Sequence, residues 1–234
     1  MSVESFKARI AAARMLAPNV RELVLDRGAP FSFEAGQWVN LHVPGMEKRA
    51  YSIASPPDGP RFDLAVTLVE GGPVSTYLHS ANIGSEIDVS GPQGFFARET
   101  SGPGLYIGTG TGVAPLRAMM KDALVKGETR AMWLLFGIRT EGDILYRDEL
   151  DALTKAHPQV RVIYTLSRGG DAWTGARGYV QTHAEALFRE LESRGEGPPH
   201  AYICGLHRMV GAVRDLLRKK MSVPREQVHS ERYD

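Results

Sequence analysis

An antiparallel β-barrel followed by a parallel five-stranded α/β domain is the architecture this sequence predicts. Three observations predict it. Residues 1–98 carry short apolar or alternating runs cut by glycine and proline. From residue 104 onward, strand-like runs alternate with helical patterns. Between the two lies Ser101-Gly102-Pro103, within the stretch from Arg98 to Gly104, which reads as a joint. The predicted domains are therefore residues 1–98 and 99–234.

In the first half, residues 20–25, 38–43 and 62–68 have the lengths and patterns of strands. Pro30, Gly36, Pro44-Gly45, Pro56-Pro57 and Gly71-Gly72-Pro73 separate them, and short strands at this spacing predict a small barrel. Residues 74–80 predict one short helix. In the second half, strands are predicted at 105–107, 132–136, 160–164, 201–204 and near Val228. Helices at 116–125, 147–156, 180–194 and 209–221 fall between them, the pattern of a parallel sheet wrapped by helices.

Bulk composition narrows the function classes. A chain of 234 residues suits one large or two modest domains. Its 43% hydrophobic and 24% charged content is ordinary for a globular protein. With 28 Lys+Arg against 27 Asp+Glu the net charge is +1, which argues against bulk electrostatic binding to nucleic acid or an anionic membrane. The single cysteine, Cys204, excludes an internal disulfide and a four-thiolate iron–sulfur cluster. Glu4, Lys7, Arg9 and Arg14 leave no apolar secretory stretch near the start. No apolar run approaches the ~18 residues a membrane span needs. The longest, near 131–138, reads as a buried strand. The expected location is the cytoplasm.

Two segments carry chemistry. Gly108-Thr109-Gly110-Thr111-Gly112-Val113-Ala114-Pro115 follows a predicted strand and opens a predicted helix. Such a turn presents bare N–H groups at the positive end of a helix, a site for a pyrophosphate. Its order is Gly-x-Gly-x-Gly-x-x-Pro rather than Gly-x-Gly-x-x-Gly. Gly137-Ile138-Arg139 also stands where an acid normally holds an adenosine ribose. Pro115 suits the first helical turn, where its missing N–H costs nothing. The second segment, Arg49-Ala50-Tyr51-Ser52, puts a cation, an aromatic face and a hydroxyl in four residues. Gly72-Pro73-Val74-Ser75-Thr76 is another candidate helix N-terminus. A pyrophosphate fits between Arg49 and those N–H groups, with Tyr51 against a flavin ring and Ser52 beside a ring nitrogen. Each segment also has a plainer reading, a glycine-rich loop and an exposed strand.

Taken in order along the chain, these motifs resemble those of the ferredoxin–NADP reductase superfamily over nearly the whole length. Arg49-Ala50-Tyr51-Ser52 is similar to its flavin motif and Gly72 to Ser75 to its flavin-phosphate turn. Gly108 to Pro115 resembles its nicotinamide-cofactor turn, and Cys204-Gly205 the pair ending the fourth strand beside the nicotinamide. Glu231-Arg232-Tyr233 resembles the family's C-terminal Glu-x-aromatic.

The resemblance implies an FAD-binding barrel and an NAD(P)-binding α/β domain, with roles residue by residue. Arg49 would hold the FAD pyrophosphate together with Gly72, Val74, Ser75 and Thr76. Tyr51, next to Ala50, would pack on one ring face, and Ser52 would bond near N5. Ala65, Val66 and Thr67 would offer backbone groups to the pyrimidine edge. Gly108, Thr109, Gly110, Thr111, Gly112 and Pro115 would receive the nicotinamide cofactor. Cys204, Gly205 and Glu231 would line the hydride-transfer site, and Tyr233 would cover the other ring face. Ser167, Arg168, Arg177 and Tyr179 would hold a 2′-phosphate, favouring NADPH. Trp173-Thr174-Gly175 with Gly178 resembles NADH-using members, so NADH remains the alternative.

The implied activity is hydride transfer between NADPH and FAD, and single-electron transfer between FAD and a separate ferredoxin or flavodoxin. Lys48, Arg49 and Arg61 are candidate docking cations for an acidic carrier. An oxygenase reductase component, a flavin reductase and a redox-dead nucleotide-binding regulator are the competing readings.

Overall fold

The structure, a computed structural model, describes residues 3–98 and 100–233. The predicted boundary between 98 and 99 abuts Glu99, which lies outside the described residues, as do Met1, Ser2 and Asp234.

The first half is a six-stranded antiparallel sheet. Its strands are β1 (Glu4–Ala17), β2 (Val20–Asp26), β3 (Trp38–His42), β4 (Arg49–Ser52), β5 (Arg61–Thr67) and β6 (Glu86–Gln93), with α1 (Pro73–Ser80) between the last two. The spatial order is β4-β3-β6-β1-β2-β5. The two edge strands meet through an antiparallel bridge from Ile53, next after β4, to Leu64 of β5, which closes the sheet on itself. Ile10, Leu23, Leu25, Val39, Leu41, Ile53, Phe62 and Leu64 fill the interior. β1 and β6 are strands the sequence reading did not locate. β1 is rich in Ala, with two Arg and one Met, residues that favour helix. Register shifts after Ile10 and Met15 bend it around the barrel.

The second half is a parallel sheet of β7 (Gly104–Thr109), β8 (Met132–Ile138), β9 (Val160–Leu166), β10 (Ala176–Arg177), β11 (His200–Leu206) and β12 (Val228–Tyr233). Its order is β10-β9-β8-β7-β11-β12, so it has six strands rather than the expected five. The extra one, β10, is two residues at the edge, too short to leave a pattern in sequence. The helices are α2 (Val113–Val125), α3 (Arg147–Ala156), α4 (Gln181–Ser193) and α5 (His207–Asp215). α5 is shorter than expected because Leu216–Lys220 continues as a π-helical turn.

α2 and α3 cover one face with Leu116, Met119, Met120 and Leu150; α4 and α5 cover the other with Leu187, Phe188, Val210 and Val213. Ala35, Ala54, Ala65 and Phe96 of the barrel belong to the same cluster as α2, so the barrel packs on that face. β7 has β8 on one side and β11 on the other. The strand order reverses there, and a crevice opens at the carboxyl ends of β7 and β11.

Candidate active site

The glycine turn lies at the end of β7. Gly110, at φ 54°, starts a single 3-10 turn through Gly112 that leads into α2, with Pro115 in the first turn of that helix. No side chain caps this N-terminus; the Val113 N–H turns back onto the Gly110 carbonyl and Pro115 has none, so the N–H groups of the turn itself are the ones a ligand could meet. The turn is pressed against the end of β11. A Cβ on Gly112 would stand 2.2 Å from the Cys204 carbonyl oxygen, and one on Gly205 would stand 2.3 Å from Thr109 Oγ1. Gly108, buried in β7, pairs with Cys204 across the strands. The Thr109 hydroxyl is buried with no protein partner among the described residues, a polar atom poised for a ligand.

A cavity of about 670 Å³ opens over this turn. Thr109, Gly110, Thr111 and Tyr233 line it from the α/β side and Thr67 from the barrel. Farther along, Ser167, Arg168 and Tyr179 line it, as do Arg139, Gln181 and Arg208. No ion pair joins Arg139, Arg168 or Arg208 to a carboxylate among the described residues. Arg177 is placed differently: its guanidinium donates to the carbonyls of Gly169, Gly170 and Trp173, each at 2.8 Å, and so braces the loop between β9 and β10. Three of the four residues expected around a 2′-phosphate thus share the cavity, and the fourth is engaged by backbone. Sequence reading missed Gln181 and Arg208, and took Arg139 only as a missing acid. The signal for Arg208 was a cation beside the Cys-Gly pair.

Residues far apart in sequence converge where this cavity meets the barrel. Ser52 Oγ lies 2.9 Å from the Tyr233 hydroxyl and donates to Glu231 Oε2 at 3.4 Å. The Cys204 side chain stands beside the Tyr233 hydroxyl and helps to raise its pKa. Strand pairing sets this up, because Cys204 stands opposite Glu231, and Leu206 opposite Tyr233. Burial pushes the Glu231 carboxyl up to about 7, against the opposing pull of the Ser52 hydroxyl. Burial also raises the Cys204 thiol to about 12, so it stays protonated and inert as a nucleophile. The Tyr233 phenol is likewise held well above its ordinary value by burial.

The barrel side completes the surroundings. Ser52 pairs with Trp38 of β3. Tyr51 is half-buried and its phenol is pushed by burial up to about 12. Arg49 and Ala50 are exposed, and Arg49 Nη1 meets Glu47 at 3.0 Å. Gly72 caps α1 without a side-chain bond, and Pro73 opens the helix. Ser75 and Thr76 turn their hydroxyls back onto the Gly72 carbonyl, which shapes the turn, while Val74 is buried beneath it. A second cavity, about 440 Å³, is lined here by Met46, Gly72, Thr76 and Tyr77. On β5, Ala65 and Val66 are buried and the Val66 carbonyl accepts from His79 Nε2 at 2.9 Å. The start of α1 beside this cavity, with Arg49 and Tyr51 on β4, is a set of groups that suits a dinucleotide with a flat ring system.

Comparison with known proteins agrees with this geometry. The family model for oxidoreductase FAD-binding domains matches residues 7–97, and the one for oxidoreductase NAD-binding domains matches residues 106–215. The chain is 53% identical to ferredoxin–NADP reductase B of Sorangium cellulosum, covering 100% of both. This chain belongs to the ferredoxin–NADP reductase family. It is therefore an oxidoreductase with an FAD-binding and an NAD-binding domain, as the motifs implied.

Within this family it is also 33% identical to the reductase component DmpP of phenol 2-monooxygenase from Pseudomonas sp., over 90% of this chain and 60% of that protein. Among solved structures, the cytochrome P450 reductase GcoB of Amycolatopsis superposes with a TM-score of 0.88 at 27% identity, over 98% of this chain and 70% of that one. Ferredoxin–NADP+ reductase of Plasmodium falciparum shares the fold, with a TM-score of 0.84 at 22% identity, over 98% and 96%.

Proposed function

We propose that this protein passes hydride between NADPH and FAD and single electrons between FAD and a separate ferredoxin or flavodoxin. The convergence of Ser52, Cys204, Glu231 and Tyr233 at the mouth of an arginine-lined cavity carries this reading. FAD, when bound, supplies a ring that takes two electrons as hydride and gives them up singly. The residues do the rest. Arg49 and the N-terminus of α1 hold the flavin pyrophosphate, and Tyr51 packs against the ring. The turn from Gly108 to Gly112 receives the nicotinamide cofactor's pyrophosphate, and Gly205 leaves room beside it. Arg168, with Arg139 and Arg208, binds the 2′-phosphate. Arg177 keeps Arg168's loop in shape.

Cys204 and Tyr233 make a dry wall around the reacting rings, and Tyr233 yields its place to nicotinamide. Glu231, whose carboxyl burial raises to about 7, would supply a proton through Ser52, whose hydroxyl would pass its own proton on as it accepts one from the carboxyl. The domain boundary belongs between residues 98 and 99. A separate carrier is favoured because the relative matched over its full length is named a ferredoxin–NADP reductase. Exposed Lys48 would meet its acidic face; Arg49 is paired with Glu47 and Arg61 with Asp26, each at 3.0 Å, and both contribute less. No helix among the described residues is long and apolar enough to cross a membrane, and a cytosolic location suits the lone buried thiol. The relatives named as oxygenase reductase components support one alternative, delivery of electrons to an oxygenase.

The test is an anaerobic absorbance titration of the FAD-loaded protein with NADPH, then addition of oxidised ferredoxin. A flavin that bleaches and then recovers as ferredoxin is reduced is the expected result. Bleaching with no transfer to ferredoxin or flavodoxin would turn the partner assignment towards an oxygenase. A flavin untouched by either nicotinamide cofactor would overturn the activity.

A further inference from the structure

Charged contacts between barrel and α/β unit come from Arg98, paired with Glu128 at the joint, and from Arg117, on α2 five residues beyond Gly112. Arg117 is 4% exposed. Nη1 donates to the Ala54 carbonyl at 2.7 Å and to Asp63 Oδ2 at 3.3 Å, both in the barrel. Nε and Nη2 fork onto the two oxygens of Glu149 on α3, at 2.8 and 2.6 Å. The guanidinium carbon sits 4.3 Å from the centre of the Tyr146 ring. Lys121 adds a second cation 3.1 Å from Glu149, so two cations face two carboxylates and the buried group is neutral as a whole.

The barrel end of this clamp is a particular place. Ala54 lies two residues beyond Ser52, its N–H donates to the Asp63 carbonyl at 2.8 Å, and the neighbouring Ile53–Leu64 bridge closes the barrel. The other end is the helix whose first turn carries the glycine-turn N–H groups. Tyr146 shows that the arrangement is imposed. It is a non-glycine residue at φ 57°, and its buried hydroxyl has no protein partner among the described residues. Apolar contact of Ala35, Ala54, Ala65 and Phe96 with α2 could hold the halves together without a buried ion. Burying a guanidinium is costly, and what it adds is direction and distance.

We propose that Arg117 is a positioning residue: it fastens the nicotinamide-binding turn to the point where β4 and β5 meet beside the flavin, and so fixes the gap hydride crosses. This rests on the function proposed above. Misplacement of reacting groups by ~1 Å costs on the order of 100-fold in rate.

Two variants test it. Arg117→Lys keeps the charge but cannot make the fork and the Ala54 bond together. Asp63→Asn touches only the barrel end and leaves the Glu149 pair to hold the fold. With FAD bound, stopped-flow reduction by NADPH is expected to slow by ~10–100-fold in Arg117→Lys and less in Asp63→Asn. The Kd for NADPH and the rate at which ferricyanide reoxidises reduced flavin should stay at parent values. In calorimetry of the cofactor-free proteins, one unfolding transition in the parent should split in two in Arg117→Lys.

Folded, FAD-replete variants reduced at the parent rate would overturn the proposal. So would a loss confined to the Kd for NADPH. Should Arg117→Lys not fold, Asp63→Asn decides by the same rates. A parent flavin that neither NADPH nor NADH bleaches overturns the functional reading instead, and calorimetry still decides whether Arg117 clamps the halves.

Discussion

Glu231 combines two properties that pull against each other. It is a carboxylate among largely buried groups, and it sits within reach of the Ser52 hydroxyl, which we propose serves a flavin nitrogen. Its folded pKa, about 7, lies above the ordinary 4.5. Between those values the folded protein holds more protons than the unfolded chain, so this group's stabilising share is full below pH 4.5, falls as pH rises to about 7 and is flat above. The full difference is on the order of 3 kcal/mol. Cofactor-free Glu231→Gln should therefore lose that fall. Its Tm, compared with the parent's at pH 5 and pH 8, should gain on the parent as pH rises; parallel Tm curves would show an ordinary carboxylate. Ser52→Ala should slow flavin reduction in stopped flow and leave FAD content near normal. An unchanged reduction rate would remove Ser52 from hydride transfer.

At the scale of elements, close approach decides more than propensity. The glycine turn works because it lies flat against the end of β11. Gly112→Ala would put a methyl group 2.2 Å from the Cys204 carbonyl oxygen, and backbone cannot give way cheaply. A loss of about 1–3 kcal/mol in urea unfolding is expected, with weaker binding of NADPH. Gly211, inside α5, meets nothing within 4 Å at its Cβ position. Gly211→Ala should thus stabilise the protein by about 0.5–1 kcal/mol, and a lowered urea midpoint would contradict that.

The same contrast explains what sequence reading could reach. β3, β5, β8, β9 and β11 announce themselves by apolar runs, and the glycine turn by its strand-to-helix setting. β1 hides behind an Ala-rich composition, β6 behind its Gly-Pro, and β10 exists only because β9 offers an edge to pair with. Arg177 carried a cation signal in sequence, but only the folded loop shows three carbonyls waiting for it.

Cofactor choice belongs to the whole molecule, because no local segment holds the groups that make it. Arg139 follows β8, Arg168 follows β9 and Arg208 lies in the first turn of α5, and the sheet order brings all three to one cavity. Guanidinium forks suit a phosphate monoester, whereas a ribose hydroxyl gives three cations little to neutralise. NADPH should therefore be preferred over NADH, although the overall charge of the molecule is only +1. A hydrogen bond to a charged group contributes about 1.5–3 kcal/mol, so Arg168→Ala should lower kcat/KM for NADPH by ~10–100-fold and barely change that for NADH. Arg208→Ala should act in the same direction. Because Arg177 braces the loop instead, Arg177→Ala should weaken both cofactors together and lower Tm. Equal turnover of NADPH and NADH by the parent, or an equal loss on both with Arg168→Ala, would remove the 2′-phosphate from this cavity.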